Sequence, residues 1–443
     1  MKQKKNSQVR IGKKPVLKNL IQAEYSVASL AKVKKWLEAH STHEIRPIAH
    51  GLFSASSSQA ADSATGYQNV WIRDCIMIAN SFRLRGNAQV AIDCVRGLTD
   101  YFRKHRKRFD DIIADKTRTL KEDVQKRPHI RFSANALEEL PEKWPHAQND
   151  ALGYALWLRM VLANSGEYPL QPEEWDVYNL FPAYFDAIEY WNDRDSGAWE
   201  EAHKINSSSV GAVVAGLQEM EKLVAQLRET RVAPAQFVSG NQLAIIRTLN
   251  EKGKERLKAA LPFEAPPERL IDGALLFLMY PLNLLESQPM QDAILHLIEA
   301  RLQGPLGIRR YLGDSYFCQD YDRWFPPGQM STDFSDNLQY RDAFLQPDCE
   351  AQWCIFDPVI SIIYGQRFLN DPSNEENLWL QTHYFNRSLQ QVTPDGKCPE
   401  LYFLRDGQYT QNAHTPLGWT QANQALALHL MEQSVSKTRK TKR

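Results

Sequence analysis

The sequence predicts an all-α protein, and three observations lead to that fold class. Ten spans carry apolar residues at the three-to-four-residue spacing that places them on one helix face. Clear alternation of apolar and polar residues, the pattern of a half-buried strand, is scarce. Gly166, Gly304 and Gly365 each come just after one of the spans, where helix C-termini favour glycine. Ten or more helices without a framework of strands imply either a solenoid or a closed barrel of helix pairs.

The predicted helices follow one another along almost the whole chain. The span 146–164 is the clearest, because Leu152, Leu156 and Met160 fall on one face. In chain order, the predicted helices are 74–85, 88–104, 146–164, 175–190, 208–228, 268–279, 289–302, 350–364, 374–388 and 417–432.

No shift in composition marks a linker, so a single domain is expected over residues 21–434. Lysine- and arginine-rich segments at 1–20 and 435–443 are interpreted as basic tails. Within the domain, a small-residue loop is expected at 54–63 and a polar insertion with one short possible strand at 106–143. The chain therefore predicts one large helical unit rather than several domains.

The charge and hydropathy patterns exclude several classes of protein. Its 53 basic and 53 acidic side chains balance, which argues against nucleic acid as the main partner because backbone binding needs a basic surface. No apolar run approaches the ~18 residues needed to span a bilayer, and residues 1–22 lack the apolar core of a secretory signal. These patterns predict a soluble cytoplasmic protein.

Metal and redox chemistry are not indicated by the cysteines or histidines. Six cysteines include no Cys-x-x-Cys pair, and Cys349 and Cys354 are better interpreted as buried thiols than as a disulfide. The histidines from His40 to His50 lack His-Glu-x-x-His spacing on a helix. We therefore expect neither a metal nor an organic cofactor.

A segment near the middle of the chain suggests carbohydrate chemistry. Asp193 and Gly197 are turn formers that interrupt helix, so the following Trp199, Glu200 and Glu201 are placed on a loop. An indole face can cover the C–H surface of a sugar ring while adjacent acids bind hydroxyls and exchange protons. Segments 69–75, 309–314 and 393–402 are three more loop segments near turns or helix starts, and all four can converge on one pocket.

Four motifs in order resemble those of glycoside hydrolase family 15, the glucoamylases. The likeness extends from about Gly51 to Met431. It is closer still to the related domain of the phosphorylase kinase α/β regulatory subunits, at 51–53, 146–153, 209–212 and 349–353. The four family motifs are Trp71-Ile-Arg-Asp, Gly197-Ala-Trp-Glu-Glu, Arg310-Tyr-Leu-Gly-Asp-Ser-Tyr316, and Pro399-Glu-Leu-Tyr with Pro416-Leu-Gly-Trp-Thr-Gln-Ala422. The resemblance implies an (α/α)6 barrel with its site at the loop end.

The resemblance also implies roles for three carboxyl groups. Glu200 is expected to be the general acid and Glu400 the general base of an inverting hydrolysis. Glu201 is expected to bind a substrate hydroxyl and, through its charge, to help keep Glu200 protonated. In an inverting site the acid and base carboxyls lie roughly 6.5–9.5 Å apart. Two adjacent glutamates are otherwise usual on a solvated surface, and Glu400 could simply pack a loop.

Further residues are expected to bind the sugar. By the resemblance, Arg73 and Asp74 grip hydroxyls of the terminal glucose, and Arg310 and Asp314 form a second clamp. The alternative for Arg73 and Asp74 is a helix cap with an ion pair. Four tryptophans are candidate pocket walls, namely Trp71, Trp144, Trp199 and Trp353. Each could equally pack in the core, and Trp353 favours the core.

Two hypotheses of function follow, with a third that is weaker. The first is an inverting, exo-acting α-glucosidase that acts on a soluble α-glucan or oligosaccharide. The second is a glucan-binding regulatory protein that keeps the pocket without turnover. The third is a different (α/α)6 hydrolase, such as a trehalase-like enzyme. The glycosidic linkage and any protein partner stay open.

Overall fold

The computed structural model describes residues 10–11, 16–57, 66–230 and 240–441. Most of the predicted N-terminal tail and part of the predicted loop at 54–63 lie outside the described residues. Helices predominate in the described part, which confirms the all-α prediction. These helices are α1 Val27–Ala39, α2 Ile72–Leu84, α3 Ala88–Lys104, α4 Lys107–Glu122, α5 Asn149–Asn164, α6 Pro172–Tyr178, α7 Leu180–Ala187, α8 Ser207–Thr230, α9 Gly240–Ala260, α10 Gln288–Leu302, α11 Tyr321–Trp324, α12 Leu338–Asp342, α13 Phe356–Asn370, α14 Glu375–Gln390 and α15 Gly418–Thr441.

Six inner elements form a closed ring. In order they are α2, α5, α8, a 3-10 helix at Gly273–Leu278, α13 and α15; each contacts the next, and α15 contacts α2. An outer layer packs behind them, made of α1, α3, the α6–α7 pair, α9, α10 and α14. Alternation of inner and outer elements along the chain makes this a closed (α/α)6 barrel and excludes the solenoid.

The inner helices are buried on almost every side, as expected for helices enclosed by a second layer. In α5 nearly all residues from Asn149 to Leu162 are buried. Gly153 lets α5 approach α8 closely, because a Cβ at this position would lie 2.5 Å from the backbone carbon of Ala212. A larger residue at this contact would push the two inner helices apart.

Two small sheets fix loop segments at the N-terminal ends of the inner helices. Strands β2 Val70–Trp71, β3 Arg131–Ser133 and β4 Glu138–Glu139 form an antiparallel sheet. The second sheet has the order β1 Arg10–Ile11, β7 Gln408–Gln411, β6 Leu401–Arg405 and β5 Gln352–Trp353. Pairing of Trp353 with Leu401 brings the start of α13 beside Glu400.

Several predicted elements differ from the observed ones. Helices α1, α4 and α9 were not predicted, and α4 lies inside the predicted polar insertion. The helix predicted at 268–279 is a 3-10 helix over Gly273–Leu278, with Pro267 before it and Pro281 after it. The last helix continues to Thr441, past its predicted end near 432. Within the described ranges, no helix is both long enough and apolar enough to cross a bilayer.

Candidate active site

A pocket of about 830 Å³, including its mouth, opens at the N-terminal ends of the inner elements. Segments from distant parts of the chain form its wall: the β2–α2 junction, the loop before α8, strand β5 and the start of α15. Nine of the ten predicted site residues line it, namely Trp71, Arg73, Asp74, Trp144, Trp199, Glu200, Glu201, Arg310 and Glu400. The tenth, Asp314, does not line it.

Glu200 is held by its backbone and by one carboxyl oxygen. Its backbone is left-handed, with φ 60° and ψ 42°, a conformation that costs on the order of 1–3 kcal/mol outside glycine and concentrates at functional sites. Trp71 Nε1 donates to Glu200 Oε1 at 2.9 Å and Gln148 Nε2 donates to the same oxygen at 3.2 Å. Arg73 Nη2 lies 3.6 Å from that oxygen.

Burial raises the pKa of Glu200, and the nearby positive charge of Arg73 only partly offsets this effect. Burial disfavours the charged carboxylate, so the protonated form persists to higher pH than in an exposed glutamate. The two donors above meet at Oε1. Glu200 thus has the environment of a general acid.

Glu400 lies in a contrasting environment, because both of its carboxyl oxygens accept hydrogen bonds. Tyr67 Oη donates to Oε1 at 2.8 Å. His414 Nδ1 lies 2.8 Å from Oε2, and Asn412 Nδ2 donates to the same oxygen. The ring of His414 stacks on that of Tyr67, with centroids 3.6 Å apart. These contacts hold the carboxyl group of Glu400 in one orientation at the pocket wall.

Glu201 points away from Glu200 into a cluster of positive charge. Arg310 and Arg341 donate to its Oε1 at 3.0 and 2.6 Å. Arg269 and Tyr311 donate to its Oε2 at 2.9 and 2.5 Å. The glutamate is 2% exposed, so both oxygens are occupied by protein donors. It therefore organises the arginines of the pocket more than it offers a free oxygen to a ligand.

The pKa of Glu201 is low because three arginines outweigh its burial. Burial alone would raise this pKa, but Arg310, Arg269 and Arg341 lower it well below the usual range of a glutamate. Three guanidinium groups also neutralise the charge that Glu201 was expected to exert on Glu200. Burial, rather than repulsion by Glu201, is the main cause of the raised pKa of Glu200.

Arg73 and Asp74 adopt different roles at the start of α2. Arg73 Nη1 donates to Gln148 Oε1 and to Asp150 Oδ2, both at 3.0 Å, so its main ion pair is with Asp150. Apart from its own backbone N–H, Asp74 has no hydrogen-bond partner for its carboxyl group among the described residues, and it lines the pocket in the first turn of α2. Burial raises the pKa of Asp74 to about 7. Its carboxyl group is the free acceptor of this pair.

Arg310 and Asp314 form a bidentate ion pair, as two parallel hydrogen bonds join them. Arg310 Nε and Nη2 donate to the two carboxyl oxygens of Asp314, each at 2.6 Å. Asp314 is fully buried and also accepts from the backbone N–H of Tyr316 at 3.0 Å. The expected clamp is thus divided: Arg310 lines the pocket, while Asp314 supports it from behind.

Tryptophans form much of the pocket wall. Trp71 and Trp144 meet edge to face with centroids 6.0 Å apart, and the guanidinium of Arg131 lies 4.2 Å from the Trp144 ring. Trp199 is fixed by its indole N–H, which donates to Asp272 at 2.8 Å. Trp353 is buried in the hydrophobic core and also lines the pocket, so it has both of the places considered for it.

Some lining residues were not predicted from the sequence. Tyr67 lies four positions before Trp71 in the same non-helical segment, and the two rings are 5.2 Å apart. Arg341 lines the pocket and His414 contacts Glu400 from behind the wall; both are in segments with no recognisable pattern and reach the site only through the fold. Phe334 and Leu338 also line the pocket, as do Tyr316 and Trp419, which lie within the quoted motifs but were not named as site residues.

A closed ring of six helix pairs with carboxylates and tryptophans lining its loop-end pocket defines a glycosidase-type fold. A family model described as "Glycosyl hydrolases family 15" matches residues 39–261. The chain belongs to that family. The match includes Glu200 and ends before Glu400.

The chain is also similar to a curated protein and to solved structures. It is 25% identical over 307 residues to the "Probable phosphorylase b kinase regulatory subunit alpha" of Caenorhabditis elegans, which covers 63% of this chain. The chain spans only 22% of that relative's length. A glycosidase variant "in complex with glucose" has a TM-score of 0.67 at 16% identity, covering 92% of this chain and 99% of the other. The glucoamylase from Saccharomycopsis fibuligera has a TM-score of 0.60 at 13% identity, covering 94% and 97%. These solved structures show the fold.

Proposed function

We propose that the protein is an inverting α-glucosidase that removes the terminal unit of a soluble α-glucan or oligosaccharide. The observation that carries the proposal is the contrast between Glu200 and Glu400 in one pocket. Burial raises the pKa of Glu200, whereas Glu400 accepts hydrogen bonds on both oxygens. Hydrolysis with inversion needs one carboxyl group that donates a proton and a second one, held in place, that activates a water molecule.

In the proposed reaction, Glu200 gives its proton to the glycosidic oxygen as the bond from that oxygen to the anomeric carbon breaks. Glu400 takes a proton from a water molecule, whose oxygen forms the new bond from the opposite face of the sugar. Arg73, 3.6 Å from Glu200 Oε1, stabilises the carboxylate left on the acid. One water is consumed, and Glu200 and Glu400 recover their starting protonation through solvent.

The terminal glucose is proposed to be held by the polar groups left free in the pocket. The unpaired carboxyl of Asp74 would accept hydroxyl hydrogens, and Arg310 would donate to a hydroxyl oxygen. The indole faces of Trp71 and Trp199 would cover the C–H surface of the ring. The three proteins compared above include one solved with glucose, which agrees with a glucose-sized ligand.

The stereochemistry of the first product tests this proposal. Maltotriose is mixed with the protein, and the anomeric proton of released glucose is followed by NMR from the first minutes. β-Glucose should appear first, and initial release of α-glucose would contradict inversion. Glu200→Gln and Glu400→Gln should each abolish release. The matched control Glu432→Gln, on the exposed side of α15, should keep full activity.

A second candidate is a regulatory protein that binds glucan without hydrolysis. Its support is the similarity to a curated relative named as a kinase regulatory subunit. This candidate predicts that maltooligosaccharide raises the unfolding temperature while no glucose is released over many hours. Turnover that is lost in both Glu200→Gln and Glu400→Gln would exclude it. Parallel assays with maltose and trehalose separate an α-glucosidase from the trehalase-like alternative.

A further inference from the structure

An exposed group of aromatic rings extends outward from the pocket. Trp324, the last residue of α11, is 51% exposed, and Tyr340, on α12, is 53% exposed. Phe334 and Phe344 are half-buried beside them. We call these four residues the aromatic ridge. Large aromatic surface left in solvent usually marks a binding site.

The ridge is continuous with the pocket. Phe334 lines the pocket, and its ring is nearly parallel to that of Tyr340, with centroids 6.1 Å apart. Tyr340 meets Phe344 at 5.6 Å, and Phe344 meets Trp324 at 5.2 Å. The rings thus follow one another from the pocket wall to open solvent. A chain that leaves the pocket on this side would run along them.

The ridge is held rigidly by groups beneath it. Phe325 is 2% exposed and contacts Phe334, Tyr340 and Phe344, with centroid distances of 5.4, 6.2 and 5.4 Å. On α12, the neighbour of Tyr340 is Arg341, which binds Glu201 at 2.6 Å. The same short helix therefore turns one residue toward the pocket charges and the next toward solvent. This fixes the position of the ridge relative to the pocket.

We infer that the aromatic ridge binds the glucose units of an α-glucan that lie beyond the unit held in the pocket. The inference rests on the proposed function and extends it by naming the surface that binds the rest of the glucan chain. Each glucose presents one C–H face that an aromatic ring can cover and hydroxyls at its rim. Asn337 and Gln339, both exposed, come shortly before Tyr340 in the chain. Their amides can bond such hydroxyls, whereas a purely apolar partner would leave these amides without a hydrogen-bond partner.

Binding of two saccharides to matched variants tests the inference. Calorimetric titrations with maltose and maltoheptaose are made in a Glu200→Gln background, so that turnover does not interfere. Trp324→Ala and Tyr340→Ala should each raise the Kd for maltoheptaose by about threefold to tenfold more than the Kd for maltose, the scale of one aromatic contact. Trp324→Phe, which keeps an aromatic face, should recover most of the difference.

The control is Trp379→Ala on the outer helix α14. This tryptophan is 61% exposed, and its ring stacks on that of His383 in the same helix. The ratio of the Kd for maltoheptaose to the Kd for maltose should therefore equal that of the Glu200→Gln protein. Equal effects of Trp324→Ala on both saccharides, or no effect on either, would overturn the inference. A fall in the native mass of Trp324→Ala by sedimentation, showing that the ridge joins two copies, would also overturn it.

Failure of the ridge and failure of the proposed function give different results. If the wild-type protein releases no glucose but the titrations still show selective loss with maltoheptaose, hydrolysis is wrong and the ridge stands. If glucose is released and the titrations show no selectivity, the proposed function stands and the ridge is wrong. Absence of maltoheptaose binding in the Glu200→Gln background overturns the ridge directly.

Discussion

Glu200 and Glu400 line one pocket, and two adjacent rings connect them. Trp71 donates to Glu200 and Tyr67 donates to Glu400, and the centroids of these rings are 5.2 Å apart. Both rings come from the segment that enters α2, so one short stretch of chain sets the relative position of two carboxyls 200 positions apart. Changes in this stretch should alter the acid and the base separately.

Gln148 is expected to lower the pKa of Glu200, the proposed general acid. Its amide donates to Glu200 at 3.2 Å and lowers the pKa of Glu200 against the larger effect of burial. Gln148→Leu removes that donor, while Arg73 stays held by Asp150. The pKa of Glu200 should rise further, so the decline of kcat/KM on the alkaline side should move to higher pH. The measurement is a pH profile of maltose hydrolysis.

The control for this profile is Gln433→Leu, an exposed change on α15. It should reproduce the wild-type curve. A Gln148→Leu profile that moves only on its acidic side would show that Gln148 acts on the base and would contradict the assignment.

Tyr67 is expected to support the base. Tyr67→Phe deletes the hydroxyl that donates to Glu400 at 2.8 Å and keeps the ring stacked on His414. A hydrogen bond to a charged group contributes about 1.5–3 kcal/mol, so kcat should fall by roughly 10- to 100-fold. Tyr25→Phe is the matched control, because it deletes a hydroxyl bonded to Asn386 on the outer layer. If kcat falls equally in Tyr67→Phe and Tyr25→Phe, the cause would be general destabilisation of the fold and not the lost bond to Glu400.

The sequence predicted the inner helices well because burial gives them long apolar spans. Helix α5 is buried on nearly all sides, and its span was the clearest. Helices α4 and α9 were missed because charged residues, such as those of Lys107–Glu122, obscure their narrow apolar faces. The 3-10 helix at Gly273–Leu278 was predicted as α-helix because its apolar run alone does not reveal the tighter winding.

The candidate site could be predicted where residues cluster in short motifs. Trp71, Arg73 and Asp74 share one motif, and all three line the pocket. Partners supplied across the fold could not be predicted in this way. Arg341 reaches Glu201 over 140 positions and His414 reaches Glu400 from a turn, and neither has a local pattern that marks its direction.

Glu201 is expected to be a major contributor to stability. It is buried with three guanidinium groups, and Glu201→Gln would leave their charges without its countercharge. Breaking a buried ion pair from one side costs about 3–5 kcal/mol, so urea unfolding should show a loss of that order at unchanged m-value. Glu432→Gln breaks a partly exposed pair with Lys34 and should cost less than about 1 kcal/mol. Similar losses of unfolding free energy in Glu201→Gln and Glu432→Gln would contradict this prediction and show that the three arginines form other ion pairs.

Asp74 is expected to lower the free energy of unfolding at neutral and higher pH while it provides a carboxyl acceptor for the ligand. Burial raises its pKa to about 7, whereas an unfolded aspartate titrates near about 3.9. Between about pH 4 and pH 7 the unfolded chain releases this proton and the folded protein retains it, so the free energy of unfolding falls as pH rises. Asp74→Asn removes this dependence. From pH 4 to pH 8 the variant should gain roughly 2–4 kcal/mol relative to wild type.

Chemical denaturation at a series of pH values measures this gain, with the exposed change Asp100→Asn as control. The same Asp74→Asn protein should bind maltose more weakly at pH 8, because an amide accepts hydrogen bonds less strongly than a carboxylate. Parallel stability curves for Asp74→Asn and wild type would contradict the raised pKa. If Asp74→Asn is more stable than wild type at pH 8 but binds maltose with unchanged affinity, the raised pKa is confirmed and the sugar does not contact Asp74.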